Sequence, residues 1–348
     1  MTNGKLSSLP FPVSDHCDGT RFHNPANPAD ASPPQSARSL LPILRWRLGG
    51  TRSPWPDRVI DPPPMGNPLD SPPDGMIGLT FIGHASFLLR MGGLTILTDP
   101  IFSERCSPVS WAGPKRARAP GRRLDELPPI DLVLVSHNHY DHLDLPSLRA
   151  IVARDRPAFV TPLGNRRLLL ETGAAPITEL DWWQSHRIGD TTITATPARH
   201  FSARTPFDAR MALWSGFMIE QPGARVLFAG DSGDGPHWST IGDRLGTPDL
   251  ALLPIGAYDP RTLMAAVHMN PEEAVGAHRS LGAHRSVGMH FGTFQLTDEA
   301  IDEPPMRLAA ELARIGLAAD AFTTLGAGDT CLIAPGSSSG TGGTGRRE

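Results

Sequence analysis

The segment His137-Asn138-His139-Tyr140-Asp141-His142 places three imidazoles and a carboxylate within six residues, directly after the apolar run Leu132-Val133-Leu134-Val135. A short apolar run reads as a buried strand, so the cluster stands on a turn at a strand end, a rigid base from which side chains can converge. Imidazole nitrogen with carboxylate oxygen suits zinc and neighbouring divalent ions. His137 and His139, one residue apart, can face one ion; Asp141 and His142, beyond the turn, can face a second. A solvated loop that happens to be rich in histidine is the competing explanation, and the spacing behind a strand argues against it.

Two ions need further ligands on the same strand-end face. His200 ends Thr194-Ala195-Thr196-Pro197-Ala198-Arg199, Asp231 follows Arg225-Val226-Leu227-Phe228-Ala229-Gly230, and His290 follows Arg285-Ser286-Val287-Gly288-Met289. Gly230 permits a sharp turn. Singly, each would read as a structural His or a capping Asp; with the cluster they complete two coordination shells.

The 348 residues suffice for a full enzyme domain, and one large domain is expected. A net charge of −4 gives no general footprint for nucleic acid. Cys17, Cys106 and Cys331 are odd in number and far apart, which suggests neither a disulfide framework nor a Cys zinc site and points to a reducing, cytoplasmic setting. The first twelve residues lack signal-peptide features, and no run approaches the ~18 apolar residues of a membrane span.

Residues 1–75 hold fifteen of the 36 prolines and read as an extended arm. Within it, Ser39 to Leu48 is a short apolar segment carrying Arg45 and Arg47, which either packs on the domain or lies at a membrane interface. Residues 76–335 form the expected domain, and the Gly/Ser/Thr-rich tail 336–348 reads as disordered. Strands are expected at 78–82, 86–90, 94–98, 192–196, 211–219, 225–228 and 250–253, with Gly92-Gly93 in a hairpin turn. Helices are expected at 145–154, N-capped by Asp144, and at 271–281 and 306–315. The pattern predicts an α+β chain with two packed sheets and helices outside.

The set His137, His139, Asp141, His142, His200, Asp231 and His290 resembles the ligand pattern of the metallo-β-lactamase-fold hydrolases. A closer resemblance is to the N-acylphosphatidylethanolamine-hydrolysing phospholipases D and their bacterial relatives. It is carried by Phe81-Ile82-Gly83-His84-Ala85-Ser86, Thr98-Asp99-Pro100, Gly113-Pro114-Lys115-Arg116, Glu179-Leu180-Asp181-Trp182-Trp183, Pro254-Ile255-Gly256-Ala257-Tyr258 and His290-Phe291-Gly292-Thr293-Phe294. A weaker echo, Arg21-Phe22-His23-Asn24-Pro25, extends into the arm. The resemblance implies a four-layer αβ/βα sandwich with two metal ions at the edge between its sheets. His137, His139 and His200 would bind one, Asp141, His142 and His290 the other, and Asp231 would bridge them. Zinc is the default, with iron and manganese also suited to such ligands.

The implied activity is hydrolysis of a phosphodiester by water activated between two metal ions, releasing N-acylethanolamine and phosphatidic acid from N-acylphosphatidylethanolamine. Asp141 and His268 are the candidate catalytic residues, His268 by reaching the substrate phosphate or protonating the leaving group. Asp99 is expected to hold a ligand histidine or cap a turn; His84 and Ser86 to lie at the same edge or serve structure. Trp111, Lys115 and Arg116 form either a rim for a phospholipid head group or a packed loop. Tyr258 either serves the site or bonds internally. Trp182-Trp183 and Phe291 with Phe294 read as core or as an apolar groove. The expected partners are a phospholipid and a membrane surface, with oligomerisation open. Hydrolysis of a soluble phosphodiester, lactone or thioester, and a non-catalytic metal-binding scaffold, are the alternatives.

Overall fold

The computed structural model describes residues 10–25, 45–46, 49 and 52–336. The expected membrane-interface segment therefore lies outside the described residues except at Arg45 and Trp46, and so does the tail beyond Gly336.

The chain runs through β1 (Ile77–Gly83), β2 (Ser86–Met91), β3 (Leu94–Thr98), β4 (Leu132–Leu134), β5 (Ala158–Pro162) and β6 (Ile177–Leu180) in a first sheet. A second sheet follows with β7 (Ser185–Ile188), β8 (Thr191–Thr196), β9 (Gly216–Gln221), β10 (Ala224–Phe228), β11 (Leu250–Pro254), β12 (Arg285–Met289) and β13 (Phe322–Thr323), and β14 (Thr330–Ile333) returns to the first. The orders are β14-β1-β2-β3-β4-β5-β6 and β13-β12-β11-β10-β9-β8-β7. Both sheets are mixed: β14 to β3 pair antiparallel and β3 to β6 parallel, while β7 to β10 pair antiparallel and β10 to β13 parallel.

Strand alternation builds the layers. In β2, Phe87 and Leu89 enter the core between the sheets and Leu88 faces the other way; in β4, Leu132 and Leu134 point inward and Val133 outward. The outward set packs with Leu148 and Ile151 of helix α1 (Leu145–Asp155). Asp144 caps that helix, its carboxylate accepting from the Ser147 N–H. After the short α2 (Arg166–Leu170) come α3 (His237–Leu245), α4 (Arg261–Met264), α5 (Pro271–Leu281) and α6 (Glu303–Ile315). α5 opens on a capping box between Asn270 and Glu273 and packs on β11, α3 and α6. The result is the expected αβ/βα sandwich of two mixed sheets flanked by helices.

Two element boundaries differ from expectation. The strand expected over 211–219 begins only at Gly216, because the preceding amides bond elsewhere: Leu213 N–H to the Leu163 carbonyl and Ser215 N–H to that of Ser136. The helix expected from Met306 starts three residues earlier, since Pro304 and Pro305 are tolerated in a first turn whose N–H groups lack intrahelical partners. Cys17, Cys106 and Cys331 are free thiols. No helix among the described residues is long and apolar enough to cross a membrane.

Candidate metal centre

Six strands end at one edge of the sandwich, and each delivers a titratable side chain just beyond its last residues. β1 delivers His84, β3 Asp99, β4 the cluster 137–142, β8 His200, β10 Asp231 and β12 His290. The chain turns sharply there. His84, Asp99 and His290 hold φ values of 57°, 33° and 63°, in the left-handed region that non-glycine residues seldom adopt. Gly230 has φ 60°, and a Cβ on it would lie 2.8 Å from that of Ser136 and 2.9 Å from the Ser215 carbonyl oxygen. Only glycine lets β10 bring Asp231 against the cluster.

The imidazoles are oriented from behind. His142 Nδ1 donates to Asp99 Oδ2 at 2.7 Å, and the Ser136 hydroxyl donates to the same oxygen at 2.5 Å. With its hydrogen committed, the Ser136 oxygen accepts from His137 Nδ1 at 2.9 Å. His200 Nδ1 donates to the Val267 carbonyl at 3.0 Å. Each bond fixes the tautomer and turns a bare Nε2 into the site.

Those nitrogens form two groups. His137 Nε2 and His200 Nε2 lie 2.9 and 3.1 Å from His139 Nδ1. Asp141 Oδ2 lies 3.4 Å from His142 Nε2 and 3.3 Å from His290 Nε2. Between the groups sits Asp231 Oδ2, 3.1 Å from Nε2 of both His142 and His290, 3.7 Å from that of His200 and 3.9 Å from that of His137. All seven residues singled out in the sequence thus meet in one place, with His84 beside the second group and His268 beside His200 and Asp231.

The donor set fits a pair of divalent ions. Tetrahedral ligand atoms about zinc lie roughly 3.3–3.5 Å apart, close to the spacings seen. His142 Nε2, both ring nitrogens of His290 and Asp231 Oδ1 are buried without a hydrogen-bond partner, a cost of ~1–3 kcal/mol for each polar group left so. Charge is concentrated as well. Burial would raise Asp141 and Asp231, and the facing His142 and His290 imidazoles hold both well below the usual carboxylate range. Burial and its neighbouring imidazoles push His139 down to about 3. For His290 burial pulls down, and the Asp231 and Asp141 carboxylates outweigh it, to about 9.

Of the remaining candidates, His84 lies with its Nε2 2.9 Å from Asp141 Oδ2, closer to the ligand set than an edge position implies. His268 stands with its ring 5.0 Å from that of His200 and 5.3 Å from that of His290, its Nδ1 buried without a partner. Ser86 donates to the Asp99 carbonyl at 2.7 Å. Trp111 is 80% exposed. Lys115 pairs with Glu104 at 3.2 Å on the surface.

For two candidates the structure favours the internal alternative. Arg116 is buried and donates to the carbonyls of Ser103 and Ile101, so its guanidinium braces a loop and offers no charge to a rim. Tyr258 is fully buried and donates to Glu303 Oε1 at 2.7 Å, so its hydroxyl is committed to the helix α6 side. The aromatic pairs belong to the packing: Trp182 donates to the Trp214 carbonyl at 2.7 Å, Phe291 stacks on Phe81, and Phe294 meets the His84 ring edge-on at 5.3 Å. The part played by Ser136 escaped the sequence reading, since nothing in the pattern marks that hydroxyl as the link between Asp99 and His137.

Residues 95–291 match the family described as the beta-lactamase superfamily domain. An uncharacterized protein of Mycobacterium tuberculosis is 39% identical over 279 residues, covering 78% of this chain and 74% of that protein. N-acyl-phosphatidylethanolamine-hydrolyzing phospholipase D 1 of Caenorhabditis elegans is 38% identical over 263 residues, covering 72% of this chain and 74% of its own length. Among solved structures, the metallo hydrolase Igni18 of Ignicoccus hospitalis superposes with a TM-score of 0.56 at 24% identity, over 74% of this chain and 98% of that one, a likeness of fold alone. With more than half of the chain matched and the His/Asp cluster at the strand ends of a two-sheet sandwich, the chain belongs to the metallo-β-lactamase-fold hydrolases of the beta-lactamase superfamily.

Proposed function

We propose that this chain is a di-metal phosphodiesterase of phospholipase D type, cleaving N-acylphosphatidylethanolamine to N-acylethanolamine and phosphatidic acid. The observation that carries hydrolysis is the position of Asp231 Oδ2 between the two imidazole groups. A carboxylate placed there would offset the repulsion between two bound dications. The substrate class rests on the similarity to the nematode phospholipase D.

Two divalent ions, with zinc the favoured pair, would when bound supply a nucleophile from water at neutral pH and neutralise charge on phosphoryl oxygens. The protein does the rest. His137, His139 and His200 would hold one ion and Asp141, His142 and His290 the other, and His84 pins Asp141 so that the second group stays aligned. Burial keeps the His268 imidazole neutral well below its usual range. A neutral ring carries one N–H and one bare nitrogen, so His268 can take a proton from the attacking water and give one to the leaving oxygen.

A lipid surface as partner is supported by two exposed aromatics, Trp111 and Phe207, 80% and 84% exposed. The neighbouring residues Val109, Ser110, Thr205 and Asp208 line one cavity of about 670 Å³ with Tyr140, which sits between the ligands His139 and Asp141. Tryptophan favours the water–lipid boundary, and phenylalanine serves the apolar face of segments that lie there.

The test supplies purified protein with N-acylphosphatidylethanolamine in mixed micelles and follows N-acylethanolamine by mass spectrometry. Release that disappears in His139→Ala is expected. Absence of release, with turnover of a soluble phosphodiester, lactone or thioester, would transfer the same centre to another substrate.

A further inference from the structure

His200 lies four residues beyond β8 in a segment that pairs with no strand, so its backbone N–H and C=O must find partners elsewhere. Both find them on one side chain of the arm. Asn24 Nδ2 donates to the His200 carbonyl at 3.0 Å, and Asn24 Oδ1 accepts from the His200 N–H at 3.3 Å. The carboxamide thus stands in for a neighbouring peptide. Its oxygen also accepts from the Trp214 indole at 3.1 Å, and that indole donates to the Ala198 carbonyl at 2.9 Å, tying the segment two residues earlier.

Asn24 is itself anchored. The Phe22 N–H donates to the Arg210 carbonyl at 2.8 Å, and the Phe22 ring is buried with Trp182, Leu213 and Trp214. Further back, His16 bridges Asp15 and Asp181 at 2.7 Å each and stacks on Trp182 at 4.3 Å. With Val267 holding the His200 ring from behind, the Asn24 clamp sets where the backbone of that ring begins.

We propose that Asn24 is a positioning residue for His200, fixing the direction from which its Nε2 joins those of His137 and His139; this rests on the reading of His200 as a metal ligand. Its loss acts on one of the two ions. The arm then contributes to the metal centre without touching it.

The full chain is loaded with cobalt(II), followed by its visible absorption and by competition with a chelator. Wild type is expected to take two ions. Asn24→Ala is expected to bind one of them about tenfold more weakly, the low end for loss of an outer partner, with a changed absorption band. Asn24→Asp, which keeps the acceptor for His200 and Trp214 but not the donor, falls between and carries the test if the alanine variant does not fold. Leu312→Val, which loosens the packing of helix α6 on the core and bears on neither Asn24 nor His200, is expected to lower the thermal midpoint and leave the spectrum alone.

Unchanged affinity and spectrum in the Asn24 variants would overturn the proposal, and so would a spectral change in Leu312→Val as large as theirs. A wild type that binds no cobalt would overturn the ligand reading itself, an outcome separate from both.

Discussion

Asp99 Oδ2 lies 2.7 Å from His142 Nδ1, and through this contact one buried carboxylate turns the opposite nitrogen of the ring toward Asp231. The same oxygen takes the Ser136 hydroxyl, so Asp99 orients His137 as well, one step removed. Asp99→Asn is expected to weaken metal binding by about 10–100-fold while the chain still folds. Chelator competition measures it; unchanged affinity would show that the carboxylate serves only the turn.

Gly230 is the hinge that admits Asp231. Gly230→Ala meets both a φ of 60° and a backbone oxygen 2.9 Å from the new Cβ. The left-handed conformation alone costs ~1–3 kcal/mol. Denaturant titration is expected to show at least that loss, accompanied by reduced metal content.

His268 is assigned to proton transfer and to no ion. His268→Ala is therefore expected to retain two ions per chain while kcat falls by about 10²–10⁴, the usual share of general acid–base catalysis. Loss of an ion in this variant would reassign the residue to the ligand set.

The carboxylates around His290 give the chelator-treated protein a pH dependence of defined sign. His290 is raised to about 9, so its proton is held more tightly folded than unfolded. The linked stability is complete below about 6.5 and is lost as pH rises through about 9. His139, lowered to about 3, acts in the opposite sense, its contribution fading as pH falls from about 6.5. A thermal midpoint that declines on both sides is expected. Because metal displaces the His290 proton, zinc addition at pH 7.5 should release protons, visible as a buffer-dependent binding heat.

Trp111 and Phe207 are predicted to meet lipid. Burying a large apolar side chain contributes ~1.5–3 kcal/mol, so Trp111→Ser with Phe207→Ser is expected to weaken vesicle co-sedimentation by tenfold or more. Turnover of micellar substrate should change less. Equal vesicle binding by wild type and variant would remove these two loops from the membrane contact.

Much of this was legible in the chain, for local reasons. The ligands announce themselves because a strand end, a turn and a chelating side chain follow one another within a few residues, as at Val135 to His142 and Phe228 to Asp231. The strands β5, β6 and β7 were less legible, being only four or five residues long, with Pro162 closing β5 and β7 carrying His186 and Arg187 among its four residues.

By itself the sequence determined which side chains could bind metal, since donor chemistry and strand-end placement are properties of residue type and local pattern. Only the tertiary structure decided how they are held. Asp99 reaches His142 across 43 residues and Asn24 reaches His200 across 176, the first because β3 and β4 lie side by side and end at one edge, the second because Phe22 packs the arm beside Trp214. It also decided between the alternatives for Arg116 and Tyr258, whose polar groups are committed once burial leaves them carbonyls and a carboxylate as partners. A buried donor takes the acceptor that packing provides, and packing is a property of the assembled fold.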